Sequence, residues 1–508
     1  MMRCHLLDFF SRNLFILALS SLLFSCNNKK GSTRLWTENF GVIGSQSSPR
    51  ATDLNGDGVL DIVMGAGKNE YQSSTQGIIA IDGQTGKLLW QQQASDQVYG
   101  SATFYDINAD GVKDIFIGGR SPYFRALNGK TGEVLWNYQY LDYEKDPIMK
   151  HARFNFNNSV LVPDQNSDGL MDLLTVNGGN SKADPYSEKE RYPAVLMVFD
   201  SKSGKILAAD TMPDGRESYM SPTCFEQPEE SDPTILFGTG GETIDGHLYK
   251  ARLSDLMERK LSNAQILASE KGHGFIAPPS VADISGDGYY DVVAISHAST
   301  VFAFDLKTNK ILWKNAISKT ECSNSLAVGY FTDDQTPDFF TFVSKGMWPN
   351  STGSLQILLN GKDGTIVYQD SMGCTGYSSP VAYDLDHDGQ DEAIVSINEF
   401  DCSLGFAGKS PTEIENKLMA INFKSKSVQI IDQAKGFKNI FSTPWIGDLD
   451  GDGYLDLIYC QYYHHFDLLA FLGMRVSRID TPVRVRKPVL WGAYMGTDGD
   501  GLFKPTEK

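Results

Sequence analysis

The stretch DLNGDGVLD, residues 53–61, concentrates the residue types that bind a hard cation. Oxygen atoms stand at loop positions one, three, five, seven (a backbone carbonyl) and nine, on Asp53, Asn55, Asp57, Val59 and Asp61. Such ligands, with a glycine such as Gly58 to permit the sharp turn, are typical of calcium sites. An EF-hand would need flanking helices and a glutamate at loop position twelve, which this stretch lacks. The sequence therefore predicts a calcium site in a β-hairpin.

The same nine-residue pattern recurs along the chain. Copies of the form D-x-[DNS]-x-D-G-x-x-[DE] begin at Asp53, Asp106, Asp164, Asp283, Asp384 and Asp448. A seventh copy at Tyr330 keeps the frame without the first Asp and the Gly, and an eroded eighth lies in residues 221–241. A single copy could be a turn without metal. Several copies in one frame favour bound cations, because clustered acids repel one another when no cation is present.

Each copy has the same flanks, which predict four strands per repeat. A short strand precedes the loop, and a second strand starts at the last acid. A third strand, a turn of the T-G-K type and a fourth strand follow, as in IIAIDGQTGKLLW (residues 78–90). Four short antiparallel strands in about 50 residues form a β-propeller blade. Loops near residues 53, 106, 164, 222, 283, 330, 384 and 448 thus predict one all-β, eight-bladed β-propeller over residues 36–508.

Closing the ring requires a strand from one end of the chain. TRLWTENFG (residues 33–41) is similar to the last strand of a blade, although it precedes the first loop. We therefore expect it to be the outermost strand of the last blade, with Trp36 in the place that Trp90 has in blade 1. The C-terminal stretch VRVRKPVLWGAYMG competes for this position, and the sequence does not choose between them.

The first 25 residues have an apolar segment too short to span a bilayer permanently, which predicts a signal peptide. The segment ends in LFSC, which resembles the lipobox of bacterial lipoproteins and implies lipidation of Cys26 after cleavage. Residues 26–35 would then be a tether. An ordinary cleaved signal peptide is the alternative.

Cysteine usage fits an exported protein. Five cysteines remain beyond Cys26, and none forms a CxxC pair, which argues against a zinc site. Cys322 and Cys374 each precede the first strand of a repeat, so they could pair across neighbouring repeats. Alternatively, all five are small buried thiols.

The loops and their following hydrophobic strands resemble FG-GAP/VCBS repeats, as in the integrin alpha-subunit propeller. The A-x-D-x-x-T-G-K-x-x-W segments resemble the PQQ-type repeats of quinoprotein dehydrogenases and of the outer-membrane assembly lipoprotein. The first resemblance implies about six structural Ca²⁺ ions. It carries the ligand role to the equivalent positions Asp106, Asn108, Asp110, Val112, Asp114, Asp164, Asn166, Asp168, Leu170, Asp172, Asp283, Ser285, Asp287, Tyr289, Asp291, Asp384, Asp386, Asp388, Gln390, Glu392, Asp448, Asp450, Asp452, Tyr454 and Asp456.

The net charge of the chain limits the classes of function that it can have. The 508 residues carry a formal net charge of -18, which excludes a typical nucleic-acid binder and suits a protein that holds cations. We expect a monomeric, non-enzymatic binding protein for a glycan or protein, anchored by lipid to the outer membrane on its periplasmic or surface face. The candidate contact residues precede the first strands and should surround the central channel: Tyr99, Phe154, Tyr219, His273 and Tyr377.

Two enzymatic alternatives remain. Some rhamnogalacturonan lyases resemble this calcium-rich eight-bladed design, and His151 with Arg153, or His273, could supply the base and cationic clamp that such a lyase needs. His464 and His465 are expected at a strand edge. A quinone-dependent redox protein is the second alternative, but the vicinal cysteine pair of the quinoprotein dehydrogenases is absent from this sequence.

Overall fold

The computed structural model describes residues 31–347, 350–374, 376–405, 413–464 and 470–505. The predicted signal peptide and Cys26 lie outside these residues. The described chain forms eight antiparallel sheets, six of four strands and two of five, which confirms the predicted all-β, eight-bladed propeller. Among the described helices, none combines the length and the hydropathy needed to cross a bilayer.

The first half of the chain supplies the N-terminal strand and four blades. Strand β1 spans Thr33–Gly41, which begins inside the segment expected as a tether. Blade 1 consists of β2 (Arg50–Thr52), β3 (Asp61–Gly65), β4 (Ser74–Ile81) and β5 (Leu88–Ala94), and blade 2 of β6 (Thr103–Tyr105), β7 (Asp114–Gly119), β8 (Tyr123–Leu127) and β9 (Val134–Asn137). Blade 3 begins with β10 (Asn155–Phe156) and β11 (Val160–Val162), which both pair with β12 (Asp172–Gly178), and continues with β13 (Val195–Phe199) and β14 (Ile206–Thr211). Blade 4 consists of β15 (Thr223–Phe225), β16 (Thr234–Gly238), β17 (Gly246–Arg252) and β18 (Gln265–Glu270).

Blades 5 to 8 repeat this plan. Blade 5 consists of β19 (Ser280–Ala282), β20 (Asp291–Ile295), β21 (Thr300–Asp305) and β22 (Lys310–Ala316). Blade 6 begins with β23 (Thr320–Glu321) and β24 (Ala327–Gly329), which both pair with β25 (Asp338–Lys345), and continues with β26 (Gly353–Leu359) and β27 (Ile366–Asp370). Blade 7 consists of β28 (Val381–Tyr383), β29 (Glu392–Glu399), β30 (Glu415–Asn422) and β31 (Ser427–Lys435), and blade 8 includes β32 (Trp445–Gly447), β33 (Tyr454–Tyr463) and β34 (Gly473–Arg484). The described helices are short: α1 (Leu253–Met257), α2 (Cys402–Gly405) and 3₁₀ turns at Tyr140–Tyr143, Met149–His151 and Leu261–Asn263.

The burial of each strand follows its sequence. The second strand DIVMG (β3) is apolar after its first residue and is buried along its whole length. The outermost strand LLWQQQA (β5) instead alternates, with Trp90 buried between more exposed neighbours. Such alternation is expected where only one face of a strand packs on a neighbouring sheet. The core therefore lies between the sheets of adjacent blades, where for example Phe124 of blade 2 stacks on Phe156 of blade 3 with centroids 5.1 Å apart.

The N-terminal strand closes the ring. Strand β1 pairs antiparallel with β34, so that blade 8 has the order β1-β34-β33-β32. The indole of Trp36 donates a hydrogen bond to the carbonyl oxygen of Gly83 in blade 1 at 2.8 Å. The indole of Trp90 makes the equivalent bond to Gly129 of blade 2 at 2.9 Å. The expected equivalence of Trp36 and Trp90 is therefore confirmed.

The C-terminal stretch occupies the axis rather than the last blade. The carbonyl oxygens of Trp491 and Gly492 accept backbone N–H groups from the innermost strands of blades 7 and 8, at 2.9 and 2.7 Å. In the innermost strand of blade 5, the N–H of Val281 donates to the carbonyl oxygen of Gly501 and its carbonyl oxygen accepts from the N–H of Phe503, both at 2.8 Å. Residues 488–503, which we call the axial segment, therefore fill the centre of the ring.

A cysteine pairing within one blade corrects the pairing considered between repeats. Cys374 forms a disulfide with Cys402, whereas Cys322 is a buried free thiol. Sequence spacing did not indicate this pairing because Cys402 lies in the long connection between β29 and β30 of blade 7, an insertion that does not follow the period of the repeats. The bond attaches the base of this insertion to the connection that enters the blade. Residues 406–412 of the insertion lie outside the described part of the chain.

Candidate functional site

All six acidic loops lie at the same end of the blades. Each connects the innermost strand of its blade to the second strand, as residues 53–60 connect β2 to β3. Because the strands are antiparallel, the turns between the third and fourth strands emerge at this same end. We call it the acidic loop face. The connections between blades, and those between second and third strands, form the opposite end, which we call the mouth face.

The aspartate at position one folds each loop onto its own backbone. In the first loop, the carboxylate of Asp53 accepts hydrogen bonds from the N–H groups of Gly56 at 2.7 Å and Gly58 at 3.0 Å. Both glycines have left-handed φ angles, +79° and +85°. Ala109 and His387 adopt the same conformation at the position equivalent to Gly56. This conformation turns the chain so that alternate side chains converge.

The acid at position nine joins two turns of its blade. One oxygen of Asp61 accepts from the N–H of Leu54 at 2.8 Å, and the other accepts from Gly83, in the turn after β4, at 3.0 Å. Burial, opposed by these hydrogen bonds, raises the pKa of Asp61 to about 6. A bound dication would favour the charged form instead. Position nine is therefore a structural anchor in addition to being a candidate ligand.

The eroded seventh loop shows that this anchor persists without the first Asp and the Gly of the motif. Asp338 accepts from the N–H groups of Thr332 at 2.9 Å and Gly361 at 3.0 Å, as Asp61 does in blade 1. Burial raises its pKa to about 6. Position nine of the repeats therefore has two roles, and only the intact loops also have an aspartate at position one and a glycine at position six.

The loops have the donor set that calcium requires. Buried carboxylate oxygens without a hydrogen-bond partner among the described residues include Oδ1 of Asp172, Asp291 and Asp448. Two loops bring three carboxylate oxygens within 4.8 Å of one another, on Asp384, Asp386 and Glu392 and on Asp448, Asp450 and Asp456. An unpaired buried carboxylate oxygen costs free energy unless a cation or donor meets it. The residues present therefore fit Ca²⁺, which takes hard oxygen ligands in irregular geometry.

Burial and nearby acids together raise the pKa of Glu392 at position nine of the fifth intact loop. Desolvation is the main cause, and the carboxylates of Asp386 and Asp384 add to it, so that the pKa rises to about 8. The backbone N–H of Leu385 opposes the shift. This carboxyl group thus lies in an environment that penalises its negative charge in the absence of a compensating cation.

The sixth intact loop already contains a cation, which sequence reasoning missed. Arg478, 3% exposed, donates from Nε to Asp456 at 2.8 Å and from Nη2 to Asp450 at 2.6 Å. It lies on β34, which pairs with the strand that follows the loop. Exposed lysines approach two other loops, Lys307 at Asp287 and Lys424 at Asp388. The loops therefore differ in charge although their motifs are alike.

The predicted contact residues lie on the mouth face, and most of them pack against neighbours. Tyr99 donates a hydrogen bond from its hydroxyl to Asn157 at 3.2 Å and lies under the guanidinium of Arg120. Phe154 stacks on Tyr192 with centroids 5.7 Å apart. These rings are half-buried and hold the connections together, so they offer only part of their surface to a ligand.

The remaining predicted contact residues fall into two groups. Tyr377 stacks on Phe441, with centroids 5.4 Å apart, between blades 7 and 8. Tyr219 and His273 meet the same loop of blade 4: Tyr219 packs against Gly241, and Nδ1 of His273 bonds to the carbonyl oxygen of Glu242 at 2.7 Å. The structure thus brings two of the five predicted residues together.

Two of the side chains predicted for a lyase, Arg153 and His273, contact neighbouring groups. The guanidinium of Arg153 lies 4.4 Å from the ring centroid of Tyr192. His151 ends a 3₁₀ turn beside it. His464 follows β33, as expected for a strand edge, and His465 lies outside the described residues.

A loop that crosses the mouth face was not predicted. Residues 179–194, between β12 and β13, reach blade 1 through a 2.5 Å hydrogen bond between the hydroxyls of Ser181 and Tyr71. The ammonium of Lys182 lies 4.0 Å from the centroid of the Tyr71 ring. The other end of the loop reaches blade 4, where the N–H of Tyr186 donates to Thr243 at 3.0 Å. Tyr186 is 73% exposed and Tyr71 is 45% exposed, so the loop presents aromatic surface to solvent.

Comparisons with known proteins agree with the propeller fold. A family model described as "Outer membrane protein assembly factor BamB" matches residues 24–183. Protein FAM234A of Homo sapiens is 24% identical over 183 residues, 32% of this chain and 31% of the relative, so the match spans less than a third of the relative's length.

Solved structures show the same architecture. A europium-containing methanol dehydrogenase has a TM-score of 0.56 at 9% identity, covering 88% of this chain and 93% of that chain. Quinohemoprotein alcohol dehydrogenase from Comamonas testosteroni has a TM-score of 0.52 at 9% identity, covering 91% and 78%. BamB from Moraxella catarrhalis has a TM-score of 0.47 at 12% identity, covering 88% and 99%. At these identities the first two likenesses establish the fold alone.

Proposed function

We propose that this chain is a calcium-stabilised, lipid-anchored β-propeller of the cell envelope that binds a glycan or protein without catalysing a reaction. The observation that carries the proposal is the mouth face, where Tyr71 and Tyr186 are exposed beside Lys182 on loops that cross between blades. Aromatic rings and cations on loops that a rigid scaffold holds in place suit recognition of sugars or peptides. The eight sheets supply that scaffold.

Calcium has a structural role in this proposal. Each acidic loop connects the innermost strand to the second strand, and its position-nine acid also holds the turn that follows the third strand. An ion in the loop would therefore stiffen three strands of one blade. Cleavage after residue 25 leaves a formal charge of about -19, and six Ca²⁺ ions would bring it to about -7, an ordinary value for a soluble surface.

The sequence supports the proposed lipid anchor and the proposed location at a membrane. LFSC at residues 23–26 provides a lipidation site, and only six residues separate Cys26 from β1, so the propeller would lie close to the membrane. The BamB-like match over residues 24–183 supports placement at the outer membrane and a role in interactions there. These features favour a scaffold or receptor over a freely diffusing protein.

A glycan and peptide array tests this function. We would probe it with the chain from residue 27 onward, which keeps every described strand, in Ca²⁺ and in EGTA. Binding should be lost in Tyr186→Ala and Tyr71→Ala and retained in Ile430→Ala, which alters an exposed side chain on the outermost strand β31. Equal binding by all three variants would overturn the assignment to the mouth face. New ultraviolet absorbance on incubation with a uronate polymer would favour a lyase instead.

A further inference from the structure

Two histidines and a glutamate from three separate segments meet on the mouth face. His273 lies in the connection from blade 4 to blade 5, His297 follows β20 of blade 5, and Glu321 ends β23 of blade 6. One ligand atom of each lies within 4.8 Å of the others. The group is separate from the acidic loops, which emerge at the other end of the blades.

The backbone holds these residues in a hydrogen-bonded series. The N–H of His297 donates to the carbonyl oxygen of Gly274, and the carbonyl oxygen of His297 accepts from the N–H of Cys322, both at 2.9 Å. Gly274 in turn donates to Gly241 at 2.7 Å. His297 itself, and the residues next to His273 and Glu321, therefore have backbone groups that are hydrogen-bonded to a neighbouring segment.

The Nδ1 atoms of both histidines have backbone acceptors. Nδ1 of His297 lies 3.1 Å from the carbonyl oxygen of Cys322, and Nδ1 of His273 lies 2.7 Å from that of Glu242. A carbonyl oxygen only accepts, so in each ring the proton is on Nδ1 and a neutral ring has its lone pair on Nε2. Metal-binding histidines are held in this way, by an N–H bond from the nitrogen that does not bind the metal.

The inner nitrogen of His297 faces the carboxylate. Nε2 of His297 and Oε1 of Glu321 are 3.8 Å apart. Two ligand atoms that each lie about 2.1 Å from one zinc ion can be at most about 4.2 Å apart, so this pair already has a suitable spacing. His297 and Glu321 are 3% and 8% exposed, whereas His273 is more accessible and leaves the cluster open to solvent on its side.

We propose that His273, His297 and Glu321 bind one divalent transition-metal ion of the zinc class, with a fourth position open to water or to an oxygen atom of a ligand. Imidazole nitrogen favours these metals over calcium. Two histidines and one carboxylate with an open position is a donor set that zinc accepts in sites with an exchangeable ligand. The site is independent of the acidic loops and of the ligand-binding role proposed above.

Titration of the purified chain with Zn²⁺ and Co²⁺, in excess Ca²⁺ to keep the acidic loops saturated, tests the site. We expect one Zn²⁺ per chain after dialysis, measured by elemental analysis, and visible Co²⁺ absorption bands that Zn²⁺ abolishes. Glu321→Gln and His273→Ala should each weaken Zn²⁺ binding by about 100-fold or more, since even residues that only support a ligand typically contribute 10–100-fold.

His247→Ala is the matched control, because His247 also lies near a carboxylate, with Nε2 4.0 Å from Asp214, but belongs to no three-ligand group among the described residues. It should bind Zn²⁺ as the unaltered chain does. Melting curves recorded without Zn²⁺ check that each variant is folded, and His273→Gln replaces any variant that is not. No retained Zn²⁺ in the unaltered chain, or equal Zn²⁺ affinity in the folded variants, would overturn the proposal.

Discussion

The indole Nε1 of Trp90, on the outermost strand of blade 1, donates a hydrogen bond to the carbonyl oxygen of Gly129 in blade 2 at 2.9 Å. The same bond joins Trp136 to Ser201 at 2.8 Å and Trp313 to Gly361 at 2.7 Å. Each ring also lies against a glycine three residues further along the accepting turn. Tryptophan thus joins neighbouring blades at recurrent positions.

Replacing the glycine under such a ring should destabilise the propeller. A Cβ at Gly132 would lie 2.6 Å from the ring of Trp90, and its φ of +73° disfavours an L side chain. We expect Gly132→Ala to lower the free energy of unfolding by about 2–5 kcal/mol. Gly215→Ala is the control, because Gly215 has φ +69° with no atom within 4 Å of the added Cβ, and should cost only about 1–2 kcal/mol. Denaturant unfolding measures both, and equal losses would show that ring packing is unimportant.

Removing calcium should lower stability. Saturation at 100 times the dissociation constant stabilises a folded protein by about 2.7 kcal/mol per independent site. We therefore expect EGTA to lower the melting temperature and Asp57→Asn to reduce bound Ca²⁺ by one ion per chain. Asp363→Asn, which alters an exposed turn on the same face outside the acidic loops, should leave the count unchanged. Identical melting curves with and without EGTA would contradict the structural role of calcium.

Arg478 should make the sixth intact loop less dependent on calcium. Arg478→Met leaves Asp450 and the buried Asp456 without their guanidinium partner. Breaking a buried ion pair on one side typically costs about 3–5 kcal/mol. We expect a loss of this size in EGTA and a smaller loss in Ca²⁺, measured by denaturant unfolding. Arg484→Met, on the exposed end of the same strand, should have little effect in either condition.

The disulfide should stabilise blade 7. Cys374 and Cys402 are 28 residues apart, and closing a loop of this size stabilises a protein by about 2–4 kcal/mol. Cys402→Ser should lower the melting temperature, and adding Cys374→Ser should cause little further loss. A reductant should lower the melting temperature of the unaltered chain and of Cys322→Ser but not that of Cys402→Ser. A response to reductant in Cys402→Ser would disprove this assignment.

The periodic parts of the molecule were predictable from sequence because each repeat is a local unit. The acidic motif located the hairpin between first and second strands, and the resemblance of TRLWTENFG to a blade's last strand placed β1 and Trp36 correctly. The eroded repeat in residues 221–241 was recovered from spacing alone, and it forms β15 and β16 of blade 4.

Features that depend on contacts between distant segments were not predictable. His273, His297 and Glu321 come from a connection between blades, a loop within a blade and the short strand β23, so no sequence spacing indicates a shared site. Arg478 meets its loop only because β34 pairs with β33. The stretch VRVRKPVLWGAYMG suits a blade strand equally well by sequence, because the apolar residues that it shares with the axial segment can be buried in either place.

The pairing of β1 with β34 also has a consequence for biosynthesis. During translation β1 emerges first, but its partner strand ends at Arg484, so an unpaired edge must persist until nearly the whole propeller has been made. Unpaired edges are prone to pair with other chains. The last blade strand to be made therefore protects the edge that the first strand leaves open.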